Sequence, residues 1–166
     1  MVNREEVLKD KIEFSGIFDF AGLYFYAHSW FVNRGLGIDE KKYVEKTDGK
    51  KRDMEIEWET AKGISDYFKE EYKIKFRTEK LVEVEVEIDK QKKKMTEGKI
   101  IIEIGGTLIT DSDNKWESSA FSRFVRDSYD KYIIPARVNK AKEKIIDNVK
   151  EFIEEIKTFL DITGRR

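Results

Sequence analysis

The 166-residue chain contains no cysteine, one histidine and one proline. Without cysteine there are no disulfides, thiolate nucleophiles, iron–sulfur clusters or cysteine zinc sites. The single His28 excludes a multi-histidine metal site within one chain. Charge of one sign is also missing: 33 basic and 34 acidic residues leave a net charge of −1. A general nucleic-acid binder carries a clear basic excess, so nucleic acid is not an expected partner. Long apolar runs are absent too. The longest, Phe20–Val32, holds Gly22, His28 and Ser29 and falls short of the roughly 20 residues of a spanning helix. Met1–Asp10 lacks the apolar core of a signal peptide. These absences predict a soluble, cytoplasmic protein with no cofactor, no metal and no transmembrane segment.

What is present is charge and aromatic bulk. Charged residues make up 40% of the chain, and aromatics 13%. Disordered chains are poor in aromatics, so this composition specifies a folded domain with a heavily charged surface. A chain of this length buries about 70% of its unfolded surface and needs no covalent staple. No internal repeat or linker interrupts it, and residues 1–166 read as one domain.

Lys11–Phe18 alternates with strand period: Ile12, Phe14 and Phe18 point one way, Lys11, Glu13 and Ser15 the other. Asp19 is a candidate N-cap for a helix whose apolar stripe is Phe20, Leu23, Tyr24, Ala27, Trp30 and Phe31. Gly35 and Gly37 end it. Lys42–Thr47 and Arg52–Thr60 flank Asp48-Gly49, a hairpin signal. Gly63 and Asp66 mark the next turn. Tyr72, Ile74 and Phe76 then alternate with Lys73, Lys75 and Arg77. A tight turn at Glu79-Lys80 is expected next, then a strand in which Val82, Val84, Val86 and Ile88 alternate with Glu83, Glu85 and Glu87. A lysine-rich turn at Lys90–Gly98 leads into Lys99–Thr110, where Gly105-Gly106 predicts a bulge or bend.

The outward faces thus read acidic, basic, acidic. Opposite charges facing one another across strands stabilise a sheet, and like charges destabilise it. The pattern encodes an antiparallel meander with its charged face in water and its apolar face on helices. By the turn count, the basic runs Lys50-Lys51-Arg52 and Lys90…Lys94 fall at opposite ends of the sheet.

After a polar loop at Asp111–Glu117, Ser118 or Ser119 can cap a helix bearing Phe121, Phe124, Val125, Ser128 and Tyr132. Pro135 kinks or breaks it, making residues 118–162 a two-helix C-terminal segment. The last helix carries Val138, Ala141, Ile145, Val149, Phe152, Ile156 and Phe159 at heptad-like spacing. Gly164 ends it. The expected fold is therefore α+β: an antiparallel sheet of about six strands in β-α-β5-α-α order, with the helices on one face.

This element order resembles the helix-grip folds, the lipid-transfer and polyketide-cyclase-like superfamily. The chain differs in having one helix after its first strand and an extra helix before the last. The resemblance implies a cavity for an apolar ligand between the sheet and the last helix. Glu55-Ile56-Glu57-Trp58-Glu59, Asp130-Lys131-Tyr132-Ile133 and the Phe159…Gly164-Arg165-Arg166 tail look like an uncharacterised family of small archaeal proteins, a likeness that brings no activity.

No motif for chemistry is complete. His28 has no obvious acidic partner within its own helix. Asp111-Ser112-Asp113-Asn114 begins like a calcium loop, but Lys115 and Trp116 follow and Glu117 comes too early. Gly105-Gly106 opens no helix and matches no phosphate loop. Two apolar surfaces are in surplus: the first helix and the C-terminal seam. They point to a non-enzymatic assembly or interaction protein, its partner being itself or another protein. The self-association candidates are Val138, Ile145, Val149, Phe152, Ile156 and Phe159. The alternative is a helix-grip binding module holding an apolar small molecule or lipid, lined by Tyr24, Trp30, Trp58, Phe76 and Phe152.

Overall fold

The structure, a computed structural model, describes residues 3–65, 67–110 and 134–165. The fold is α+β. Strands β1 (Asn3–Phe18), β2 (Asp39–Asp48), β3 (Lys51–Gly63), β4 (Phe68–Ile88) and β5 (Gln91–Thr110) form one antiparallel sheet in the order β1-β5-β4-β3-β2. Helix α1 (Phe20–Val32) follows β1, and the long helix α2 (Ile134–Thr163) closes the chain. The long C-terminal helix lying on an antiparallel sheet is loosely helix-grip-like.

The alternation legible in β3, β4 and β5 has the expected cause. Met54, Ile56, Trp58, Ile74, Phe76, Ile100, Ile102 and Ile104 are all buried. The opposite face carries a charge ladder. The register places Lys42 beside Glu57, Glu57 beside Lys75, Lys75 beside Glu103 and Glu103 beside Lys11. One row thus crosses all five strands with alternating sign, each neighbouring pair contributing roughly 0.2–1 kcal/mol. Nearby ion pairs include Lys75–Glu57 at 3.6 Å and Lys73–Glu59 at 3.7 Å.

The sheet has five strands where six were expected, because Glu79-Lys80 is a bulge and not a turn. Glu79 pairs with Lys99 and Val82 with Glu97, so β4 carries one extra residue and continues to Ile88. Lys80 adopts φ 52°, and its N–H donates to Asp53 Oδ1 at 2.8 Å. Gly98 is required beneath the bulge: a Cβ there would lie 3.0 Å from the backbone of Glu79, Lys80 and Leu81. The extra residue reverses the phase of alternation, so Leu81 is fully buried and Glu83 faces Thr96. The expected lysine-rich turn shrinks in the same way. The chain reverses at Asp89-Lys90, both at positive φ, and Gln91 already belongs to β5.

One strand fewer also changes which ends the turns occupy. Lys50-Lys51-Arg52 and Lys90…Lys94 lie at the same end of the sheet, not at opposite ends. They still form no basic groove. Lys92 and Lys94 sit opposite Glu87 and Glu85, and Arg52 lies between Glu45 (3.5 Å) and Glu83 (3.9 Å).

Local signals at the helices hold. The Asp19 carboxylate accepts from the Gly22 N–H at 3.0 Å, capping α1. Gly35, at φ 74°, turns the chain after it. Gly105-Gly106 is extended strand. The extra residue lies on the neighbouring strand, between Glu6 and Leu8, and Gly106 serves the helix: its Cα faces Ile145 and Val149 of α2. Pro135 stands in the first turn of α2 as described, where its missing N–H costs no helical bond. The Ser118/Ser119 helix, the calcium-like Asp111–Asn114 and Asp130–Ile133 lie outside the described residues. Beyond α2, Arg165 pairs with Ile17 through two backbone hydrogen bonds of 2.6 and 2.7 Å, tying the C-terminal end to β1.

Candidate functional site

The two helices lie side by side on the apolar face of the sheet. Tyr26 of α1 stacks on Phe159 of α2 with ring centroids 5.2 Å apart, and its hydroxyl donates to Glu155 at 2.9 Å. Arg34 pairs with Glu151 and lies over the Trp30 ring at 3.9 Å. Residue numbers rise along α1 as they fall along α2, so the helices are antiparallel. The other flank of α1 leans towards β2 and β3: Tyr24 and His28 meet Trp58 edge-on at 5.1 and 5.6 Å.

This packing fixes where the C-terminal seam goes. Ile145, Val149, Phe152 and Ile156 are fully buried, and Val138 and Phe159 are partly buried against the same core. The stripe faces the protein's own sheet, with α2 in contact with β1, β5 and β4. The five aromatic positions are placed in two groups. Tyr24, Trp58 and Phe76 form one cluster, with Trp58 and Phe76 4.7 Å apart. Trp30 and Phe152 form the other, 5.3 Å apart, beside Phe31. Trp30, Trp58, Phe76 and Phe152 are buried. Tyr24 borders a cleft.

That cleft has a volume of about 490 Å³ and lies where the start of α1 approaches β2, β3 and the end of the β4–β5 hairpin. Phe20, Tyr24, Tyr43, Met54 and Met95 give it apolar walls; Arg52, Lys94, Asp19 and Glu83 give it balanced charge. The Tyr24 hydroxyl donates to Glu40 Oε2, which also accepts from Trp58 Nε1 at 3.0 Å. Burial, aided by the Glu40 carboxylate, pushes the Tyr24 phenol up to about 12.

A second cleft, of about 720 Å³, runs beside the first turns of α2 and is lined by Ile64, Phe68, Lys144 and Asn148 among others. Next to it sits Glu70, only 2% exposed on the core face of β4. Lys144 Nζ lies 3.0 Å from Glu70 Oε2, Tyr72 Oη 3.3 Å from Oε1, and Asn148 Nδ2 donates to Tyr72 Oη at 2.8 Å. The Lys144 ammonium balances the charge and the Tyr72 hydroxyl lies on Oε1, while Oε2 itself accepts no well-aligned hydrogen bond. Alternation alone marks Glu70 as core-facing, in phase with Phe68 and Tyr72, and sequence reasoning passed over it.

The outer face of α1 is different in kind. Leu23, Ala27, Trp30 and Phe31 fill the inner face, yet Phe25 is 72% exposed and Val32 49%. Ala21, Phe25 and Val32 share one helical stripe, directed away from the core on the flank nearer His28 and β2. The other exposed large apolar side chains among the described residues are Tyr43 and Val44 of edge strand β2 and Ile162 near the end of α2.

Among the described residues, no three or more His, Cys, Asp or Glu converge on a point where a metal ion would sit. No described helix is long and apolar enough to cross a membrane. The chain matches no protein-family model, no curated protein and no solved structure.

Proposed function

We propose that this chain is a non-enzymatic assembly protein that self-associates through an apolar helix surface. The surface is the outer stripe of α1. The observation that carries this reading is Phe25, an aromatic side chain 72% exposed at the centre of a helix already anchored by its opposite face. Burying a Phe side chain is worth roughly 1.5–3 kcal/mol, and a helix apolar on both faces has a partner for each. The C-terminal seam supports the fold, and assembly is left to α1. The test is Phe25→Glu. The variant stays folded, loses the concentration dependence of the wild-type unfolding midpoint, and moves the native mass from a multiple of 19.7 kDa to 19.7 kDa. A wild-type protein that is already monomeric at tens of micromolar overturns the proposal.

A second reading draws on the helix-grip resemblance: a module binding a small amphipathic molecule. Its support is the cleft of about 490 Å³ bordered by Tyr24, within the usual size range of ligand pockets. In this reading the ligand lies at the start of α1, outside the packed Trp58 and Phe152 clusters. A reproducible added mass on the monomer, lost in Tyr24→Ala, is the expected sign.

A further inference from the structure

We infer that the partner is a second copy of this chain, joined through the free edge of β2 about a two-fold axis at Tyr43. The inference rests on the self-association proposed above and gives it a geometry. β2 is the last strand of the sheet, and its outer backbone edge has no neighbour among the described residues. Such an edge is a template for another strand unless it is blocked. A bulge between Glu40 and Lys42 interrupts β2 on one side, which leaves Lys42–Asp48 as a regular run.

Charge selects the register. A two-fold axis that continues an antiparallel sheet stands perpendicular to it, so each residue faces one of the same parity. The pairing is then centred on a single residue. Centred on Lys42, Glu45 or Lys46, it sets that charge against its own copy. Centred on Val44, it sets Lys42 against Lys46 of the second copy. Like charges directly opposite are destabilising. Centred on Asp48, the pairing again sets a charge on its own copy, and centred on Thr47 it reaches the strand end after a single Lys46–Asp48 pair; centred on Tyr43, the strand extends to either side and no like charges meet. Within the regular run, Tyr43 faces Tyr43 and Lys42 faces Val44 of the second copy, the latter twice by symmetry; the bulged Lys41 lies outside it. Tyr43 and Val44, 50% and 37% exposed, are the only large apolar side chains on this strand and lie at the centre of that pairing. Lys41 and Glu45 already have partners within the chain, Asp39 at 2.6 Å and Arg52 at 3.5 Å. Both remain exposed.

The same axis accounts for α1. It leaves both copies' helices on one face of a ten-stranded sheet, because each chain contributes five strands. Each α1 leans over β2 through the Tyr24–Glu40 and His28–Trp58 contacts, so the two exposed stripes approach one another above the Tyr43 pair.

The absence of native cysteine makes the register directly readable. Residues directly opposite across an antiparallel pair have Cα atoms about 4.5–5.5 Å apart, inside the range a disulfide spans. Tyr43→Cys is therefore expected to give a reducible covalent dimer of twice 19.7 kDa under mild oxidation. Lys46→Cys is expected to stay at 19.7 kDa, since its two copies would stand about 20 Å apart along the strands. Native mass spectrometry of the unmodified chain runs alongside. If it shows a dimer while Tyr43→Cys fails to cross-link, or Lys46→Cys links equally well, the β2 register is overturned and the α1 reading survives. If it shows only monomer, both fall.

Discussion

Replacing Gly106 with alanine probes how closely α2 lies on the sheet. A Cβ at this position would stand 2.4 Å from Ile145 Cγ2 and 3.1 Å from Val149 Cγ2. Carbon atoms in ordinary contact are about 3.5–4.0 Å apart, so the helix must retreat by about 1 Å or its side chains must leave their rotamers. Overpacking of this kind costs about 1–3 kcal/mol. Gly106 has an ordinary negative-φ strand backbone, so nothing else penalises the substitution. The reduced freedom of the unfolded chain returns about 0.4–1 kcal/mol. The expected net loss is about 1–2 kcal/mol, a fall of roughly 2–8 °C in the unfolding midpoint for a chain of this size. Urea unfolding followed by tryptophan fluorescence measures it. Ile145→Ala alone removes a fully buried side chain and costs about 2–5 kcal/mol. In the double variant the two losses should fall short of their sum by about 1 kcal/mol or more, because the alanine methyl then occupies space that Ile145 has vacated. A Gly106→Ala protein as stable as the wild type, or strictly additive losses, would refute the packing described for α2.

Two further outcomes follow from the site geometry. The Tyr24 phenol ionises near its ordinary value of 10 when unfolded and at about 12 when folded, raised first by burial and then by Glu40. A folded value above the unfolded one means its contribution is complete below pH 10 and is lost as pH rises towards 12. Urea midpoints measured across that interval should fall less steeply in Tyr24→Phe than in the wild type; equal slopes would contradict the assignment. At the β4 bulge, Lys80 holds φ 52°, a conformation that costs an L-residue about 1 kcal/mol or more and glycine little. Lys80→Gly should match or exceed wild-type stability in urea, while Lys80→Val should lose about 1–2 kcal/mol.

Most of the architecture is written in residue spacing. Strict alternation specified β3, the Tyr72–Arg77 and Val82–Ile88 parts of β4 and the Lys99–Thr110 part of β5, Asp48-Gly49 specified the β2–β3 turn, and Asp19 the start of α1. Each of these signals is local: a side chain capping its own helix, or a glycine supplying the positive φ of its own turn. The bulge at Glu79–Leu81 was illegible because its positive-φ position is occupied by a lysine, and because Phe76 and Val82 keep the same parity on either side of it. Nothing in the chain announces that the phase has turned over. Only the neighbouring strands do, through Asp53 from one side and Gly98 from the other. The role of the seam was hidden for a related reason. A heptad-like stripe on α2 reads the same whether it meets another helix or a sheet, and the close approach at Gly106 shows itself only in space. The exposed stripe of α1 was legible as surplus apolar surface; its direction towards β2 needed Tyr24, His28 and Trp58 in space.

The most direct test of the account is native mass spectrometry of the purified full chain at tens of micromolar, with Phe25→Glu beside it. The account predicts a discrete species at twice 19.7 kDa for the wild type and 19.7 kDa for the variant, with both equally folded. A wild-type chain found only at 19.7 kDa would contradict it.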